Sequence, residues 1–239
     1  MKIELSMTLA QAVDSFPQLA REFERRGLDY CCGGQRTLGD ACSTIGLDPE
    51  QTIAELELAV VGTSEAAEWT TMSADELVDH LESTHHRYLW DEMPRVTALL
   101  EKLVSVHGAR HPELVEISAC YAEVRGDLAP HMLKEERVLF PMIRELATST
   151  NVPEFHCGSL RNPISVMLRE HDEVGDLLAK LRRLTDDYSA PADGCATYIA
   201  CFAAMAELEA DTHLHIHKEN NVLFPLVVRL ESERTAPVS

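Results

Sequence analysis

A chain of 239 residues, 45% of them hydrophobic, is long enough for a sizeable buried core, as one large domain or a medium domain with a small one attached. Its 40 acidic residues against 21 lysines and arginines leave a net charge of −19, which repels phosphate backbones and argues against nucleic-acid binding. No apolar run approaches a membrane span, and no basic patch leads into an apolar stretch at the N-terminus, so neither a membrane segment nor a signal peptide is expected. Seven cysteines at irregular spacing speak against a secreted disulfide framework and for a reducing, cytoplasmic setting. Eleven histidines are the more unusual count, and they cluster.

Residues 1–60 read as a small helical unit. Thr8 can cap a helix reaching Ser15, and Pro17 suits the first turn of another that Gly27 ends. The run Asp29-Tyr30-Cys31-Cys32-Gly33-Gly34 is a turn, because adjacent glycines break helices. Asp48-Pro49 opens a further helix through Val60. Residues 61–72 are small and polar and read as a linker, and residues 233–239 as a flexible tail.

Between them, residues 73–232 carry four long helical patterns. Ser73 and Glu76 have capping-box spacing at the start of the first, expected over 74–106. The others are expected over 112–147, 163–187 and 193–231, with Asn162 as a cap and Pro112 and Pro163 in first turns. Strand signals do not persist. The expected fold is all-α: an antiparallel four-helix bundle with a small N-terminal helical domain.

The second and fourth helices contain the same phrase. His131-Met-Leu-Lys-Glu135-Glu-Arg-Val-Leu-Phe-Pro141 matches His215-Ile-His-Lys-Glu219-Asn-Asn-Val-Leu-Phe-Pro225. Residues four apart share a helix face, so each copy presents an imidazole and a carboxylate to one point. The prolines are expected to bend or loosen each helix about one turn further on. The third helix adds His171 within Glu170-His171-Asp172-Glu173, and the first adds His85 and His86, between which periodicity does not choose. One histidine from each helix with two glutamates suits two iron ions inside a bundle better than a structural zinc site. A single His-x-x-x-Glu pair is more often an ordinary hydrogen bond; two copies, with histidines at matching places in two other helices, reverse that reading.

These segments, with the Asp29–Gly34 turn, resemble the iron–sulfur cluster repair di-iron proteins, also called regulators of cell morphogenesis and NO signalling. The resemblance covers nearly the whole chain and implies a hemerythrin-like domain holding two non-haem irons, carboxylate-bridged and in some states oxo-bridged. It implies His86, His131, Glu135, His171, His215 and Glu219 as metal ligands, with Glu135 and Glu219 bridging, and it favours iron over manganese. His107 also matches a family histidine, but it lies roughly 30 Å from His86 along a continuous helix. His213 and His217 flank the ligands of the fourth helix, point elsewhere by helical phase, and read as lying behind the ligands or exposed.

The implied function is repair of iron–sulfur clusters damaged by oxidants or nitric oxide, through iron donation, with iron–sulfur proteins as clients. Cys31 and Cys32 are the candidate thiols for escorting iron. Glu170, beside His171, is a candidate acid on the exit path, and Asp127 reads as surface charge. The remaining cysteines read as structural. The alternative is binding of nitric oxide or its reduction to nitrous oxide, which would make the chain an enzyme. Oxygen carriage is disfavoured because oxygen-carrying hemerythrins use a fifth histidine. A homodimer is compatible with the chain.

Overall fold

In the computed structural model, residues 2–60 and 67–235 are described. Residues 61–66 of the expected linker and 236–239 of the expected tail lie outside them.

Four short helices come first: α1 (Leu9–Ser15), α2 (Leu19–Arg26), α3 (Leu38–Ile45) and α4 (Pro49–Ala59). The expected punctuation explains their ends. The Thr8 hydroxyl accepts from the Gln11 amide while the Gln11 side chain accepts from the Thr8 amide, closing a capping box. Gly27 stops α2 at φ 67°, a left-handed conformation that costs glycine little. Asp48 caps α4 and Pro49 occupies its first turn.

Four rods follow. The first is α5 (Ala74–Leu81), a π-helical turn at Glu82–His86, and α6 (Arg87–His107). The second is α7 (Glu113–Lys134), a π turn at Glu135–Leu139, and α8 (Phe140–Thr148). The third is α9 (Arg161–Leu184), and the fourth is α10 (Ala196–Lys218), a π turn at Glu219–Leu223, and α11 (Phe224–Thr235). The Ser73–Glu76 capping box starts the first rod. Contacts of α5 with α8 and of α6 with α7 run the first two rods antiparallel, as short connections require. Among the described residues there is no strand, only two isolated bridges. Nor is any helix there long and apolar enough to cross a membrane.

The repeat prolines explain two of the wide turns. Pro141 and Pro225 have no N–H to return to the carbonyls of Arg137 and Asn221, four residues earlier. The helix widens on the N-terminal side of each proline, in a turn that begins at the glutamate and runs on to Leu139 or Leu223. Two other boundaries shift. Leu160 takes the cap position of α9, its amide held by Glu231 Oε1 at 2.9 Å, and Asn162 falls within the first turn. The same helix ends at Leu184 because Asp186, Asp187 and Tyr188 all take positive φ.

The apolar interior falls into two clusters. One joins α1–α4 to the near end of the bundle, through Leu9, Phe23 and Leu38 on one side and Leu81, Phe140, Met167 and Phe224 on the other. The other fills the far end, from Leu89, Met132, Val174 and Leu208 outward. In all four rods the residues between these clusters are polar and buried: His86, His131, Glu135, His171, His215 and Glu219. Histidines and carboxylates are seldom buried without partners, so this polar slab is the candidate functional layer.

Candidate metal centre

His86 at the end of the first π turn, His131 on α7 and His215 on α10 just ahead of the other two, and His171 on α9 aim their imidazoles at one another. His86 Nε2 lies 3.1 Å from His215 Nε2, and His131 Nε2 lies 3.0 Å from His171 Nε2. Three of the rings are held from behind. His131 Nδ1 donates to Glu170 Oε2 at 2.9 Å, His86 Nδ1 faces Glu136 Oε1 at 3.0 Å, and His171 Nδ1 donates to Asn220 Oδ1 at 2.7 Å. A carboxylate only accepts, so the outer nitrogen carries the ring proton and Nε2 presents a lone pair inward.

The carboxylates complete the arrangement. Glu135 Oε2 is 3.3 Å from His131 Nε2 and 3.5 Å from His86 Nε2; Glu219 approaches His215 and His171 at 3.1 Å. Both glutamates are fully buried. Ligand atoms of His86, Glu135, His215 and Glu219 lie within 4.8 Å of one another, as do those of His131, Glu135, His171 and Glu219. The two glutamates belong to both groups, an arrangement in which two cations would share two carboxylates.

The chemistry of these atoms calls for positive charge. Both oxygens of Glu135, Glu219 Oε2 and His215 Nδ1 are buried without a hydrogen bond of acceptable geometry. The inward lone pairs of His131 and His171 repel at 3.0 Å unless a proton or a cation lies between them. Burial opposes protonation of His131 and His86, but the glutamates outweigh it and raise them to about 9 and about 8. Burial alone would raise Glu135; His131, His86 and His215 reverse this and hold it well below the usual carboxylate range. The donor set of imidazoles and carboxylates fits a non-haem di-iron centre.

All six residues expected as ligands therefore meet in one layer. His86 and His85 separate cleanly. His85 Nδ1 donates to Asp211 Oδ1 at 2.9 Å, and its Nε2 accepts from Lys218 Nζ at 2.7 Å. Both nitrogens of His85 are thus engaged away from the layer, although its ring stacks on His215. Glu170 sits behind His131 and also pairs with Lys134. Asp127 is exposed, and His107 lies at the far end of α6.

The Asp29–Gly34 turn docks against the same layer. Asp29 caps the turn by accepting from the amides of Cys32 and Gly33 at 2.9 and 2.8 Å. Cys31 is buried and Cys32 partly exposed, their sulfurs 3.8 Å apart, and with Asp29 they form a third group of potential metal ligands. The Cys32 contact and then burial push the Cys31 thiol well up. A cavity of about 460 Å³ opens beside the turn, lined by Tyr30, Cys31, Cys32, Arg182, Glu209 and His213.

The residues that seat this turn escaped the sequence reading. Asn221 Nδ2 donates to the Cys31 carbonyl at 3.0 Å, and Asn220 Nδ2 reaches the same carbonyl at 3.3 Å. His217, fully buried, touches the Tyr30 carbonyl at 3.3 Å and Asp14 Oδ1 at 2.9 Å. Trp69, within the stretch expected as a linker, donates to Asp14 and covers the Lys218 ammonium at 4.5 Å. The available signal lay where the repeats diverge, at Leu133 against His217 and at Glu136-Arg137 against Asn220-Asn221. Glu136-Arg137 serves an open flank, with Trp90 donating to Glu136, whereas Asn220-Asn221 serves the docked turn.

Comparison with known proteins agrees with this architecture. The hemerythrin HHE cation binding domain matches residues 77–227, and a domain of unknown function, DUF542, matches residues 5–60. The iron-sulfur cluster repair protein YtfE of Enterobacter sp. (strain 638) is 34% identical over 91% of this chain and 94% of its own length. That of Musicola paradisiaca is 35% identical over 94% and 96%, and the iron-sulfur cluster repair protein ScdA of Staphylococcus haemolyticus is 28% identical over 90% and 95%. The chain belongs to the hemerythrin HHE cation binding family, within the group of full-length relatives named iron–sulfur cluster repair proteins.

Proposed function

We propose that this protein repairs oxidatively or nitrosatively damaged iron–sulfur clusters in the cytoplasm by donating iron to client iron–sulfur proteins. The observation that carries the reading is the pair of overlapping ligand groups that share Glu135 and Glu219. His86 and His215 would hold one iron and His131 and His171 the other, with the two glutamates between them. Bound there, the irons supply a pool that binds small ligands such as nitric oxide or oxygen and can be passed on. The rest is done by the chain. Glu136, Glu170 and Asn220 fix the ring orientations, so the donor atoms face inward before iron arrives.

Release requires the histidines to exchange iron for protons, which the glutamates favour by stabilising the protonated rings. In this reading Cys31 and Cys32 receive or escort the ion, which the cavity beside them and the Asn220 contact to the Cys31 carbonyl support. A buried thiol that resists ionisation keeps its proton until a cation displaces it. The test is transfer. Protein loaded with isotopically marked iron is mixed with a client whose cluster nitric oxide has damaged. The reading predicts that marked iron appears in the client in proportion to its loss from the donor. Client recovery with all marked iron retained by the donor contradicts it.

A further inference from the structure

The opposite end of the bundle, remote from the iron layer, gathers another set of reactive side chains. His107 at the end of α6 and Arg110 and His111 in the α6–α7 connection meet Asp193 and Cys195 of the α9–α10 connection. Cys195 was expected to be structural. It is exposed instead, at the N-cap of the 23-residue α10. His107 is only 6% exposed and points its Nε2 at Cys195 Sγ, 3.3 Å away, with no other partner for that nitrogen among the described residues.

The contact with Arg110 favours one tautomer of His107. The Arg110 guanidinium can only donate, and its NH2 stands 3.4 Å from His107 Nδ1. That nitrogen accepts, which leaves the ring proton on Nε2, directed at sulfur. Cys195 is the N-cap of α10, and the positive end of that helix, the Tyr198 amide above all and then that of Thr197, holds its thiol below its ordinary range. The nearby acids are engaged elsewhere: Asp193 faces His111 at 3.1 Å and Arg110 at 3.6 Å, and Glu113 faces His111 at 2.9 Å. By contrast Cys42, Cys120 and Cys201 are buried, and burial pushes their thiols up, that of Cys201 to about 12.

We propose that Cys195 and His107 form a reactive thiol site that takes small disulfides of the glutathione class into mixed-disulfide linkage. The Cys195 sulfur attacks one sulfur of the disulfide, a new S–S bond forms and the old one breaks. The Cys195 proton leaves to water, and the departing thiolate takes one up from water. The small disulfide is the oxidant, and one of its halves leaves as the reduced thiol. Arg110, largely exposed, offers a cation to the carboxylates of such a molecule. Cys201, on the same helix, is fully buried, so the linkage is not resolved from there.

The test uses the full-length protein and oxidised glutathione, with each mixed disulfide located by peptide mass in the native and urea-unfolded chain. Cys195 is expected to be modified first. Its native rate at neutral pH should exceed that of the unfolded chain by roughly threefold or more, as an activated, accessible thiolate implies. His107→Leu, with helicity checked, should remove that advantage, and Arg110→Ala, a surface change, should reduce it. Equal native and unfolded rates, or earlier modification of Cys31, Cys32 or Cys157, would overturn the proposal. So would rates unchanged in both variants.

Discussion

The backbone carbonyl of Cys31 and the imidazole of His171 are joined by a single side chain. Asn220 donates through Nδ2 to the carbonyl at 3.3 Å and accepts through Oδ1 from His171 Nδ1 at 2.7 Å. The thiol turn and the metal layer therefore share one rigid element, and the same amide that seats the turn orients a ligand ring.

Replacement of Asn220 tests that link. Asn220→Ala removes the acceptor behind His171 and should weaken iron retention by about 10–100-fold, the usual cost of losing a partner behind a metal-bound histidine. Asn220→Asp keeps an acceptor and loses only the donor to Cys31, so its iron affinity should stay close to that of the parent. Competition with a chelator separates the two; equal weakening in both variants contradicts the orienting role.

Docking of the turn depends on the absence of a side chain at Gly34. A Cβ there would stand 2.5 Å from the Tyr30 carbonyl oxygen and 2.7 Å from Asn221 Oδ1. Gly34→Ala should destabilise the protein by about 1–3 kcal/mol, read from urea unfolding, because backbone must move. A neutral or stabilising effect would show that the turn sits less closely against α10–α11.

Iron binding should be linked to protons. In the cation-free protein His131 and His86 are raised to about 9 and about 8. Their protonation stabilises the cation-free fold below about pH 6.5 and is lost as pH rises through 8 and 9. Loading at neutral pH must displace these protons, so iron affinity should rise with pH over that window and fall on acidification. A pH-stat trace should record acid release on loading at pH 7, and a trace without release contradicts the assignment.

The thiols should matter for transfer and not for holding the irons. The double change Cys31→Ser, Cys32→Ser leaves all six expected ligands in place, so the iron spectrum should persist while transfer to a damaged client falls severalfold. Undiminished transfer would leave the pair a structural role.

The sequence made the symmetric part of this site legible, because a repeat of His-x-x-x-Glu on helices obeys a simple rotation rule. What it concealed lies in the departures from symmetry. His85 and His86 differ by one position, and only the neighbours Lys218 and Asp211, from a distant rod, show which ring turns inward. Lys134 and Lys218 hold equivalent places in the repeat, yet the first is exposed and the second buried under Trp69. Trp69, from the stretch before the bundle, and His80 and His85 of the first rod distinguish them. Likewise helical phase left His217 either behind the ligands or exposed, and the structure buries it against Tyr30 and Asp14.

Iron stoichiometry after anaerobic loading tests the central claim most directly, compared between the parent chain and Glu135→Ala and Glu219→Ala, with helicity monitored. The account predicts two irons per chain for the parent, one for each ligand group, and at most one for either variant with the bundle still folded. Both variants retaining the parent's full iron content would contradict it.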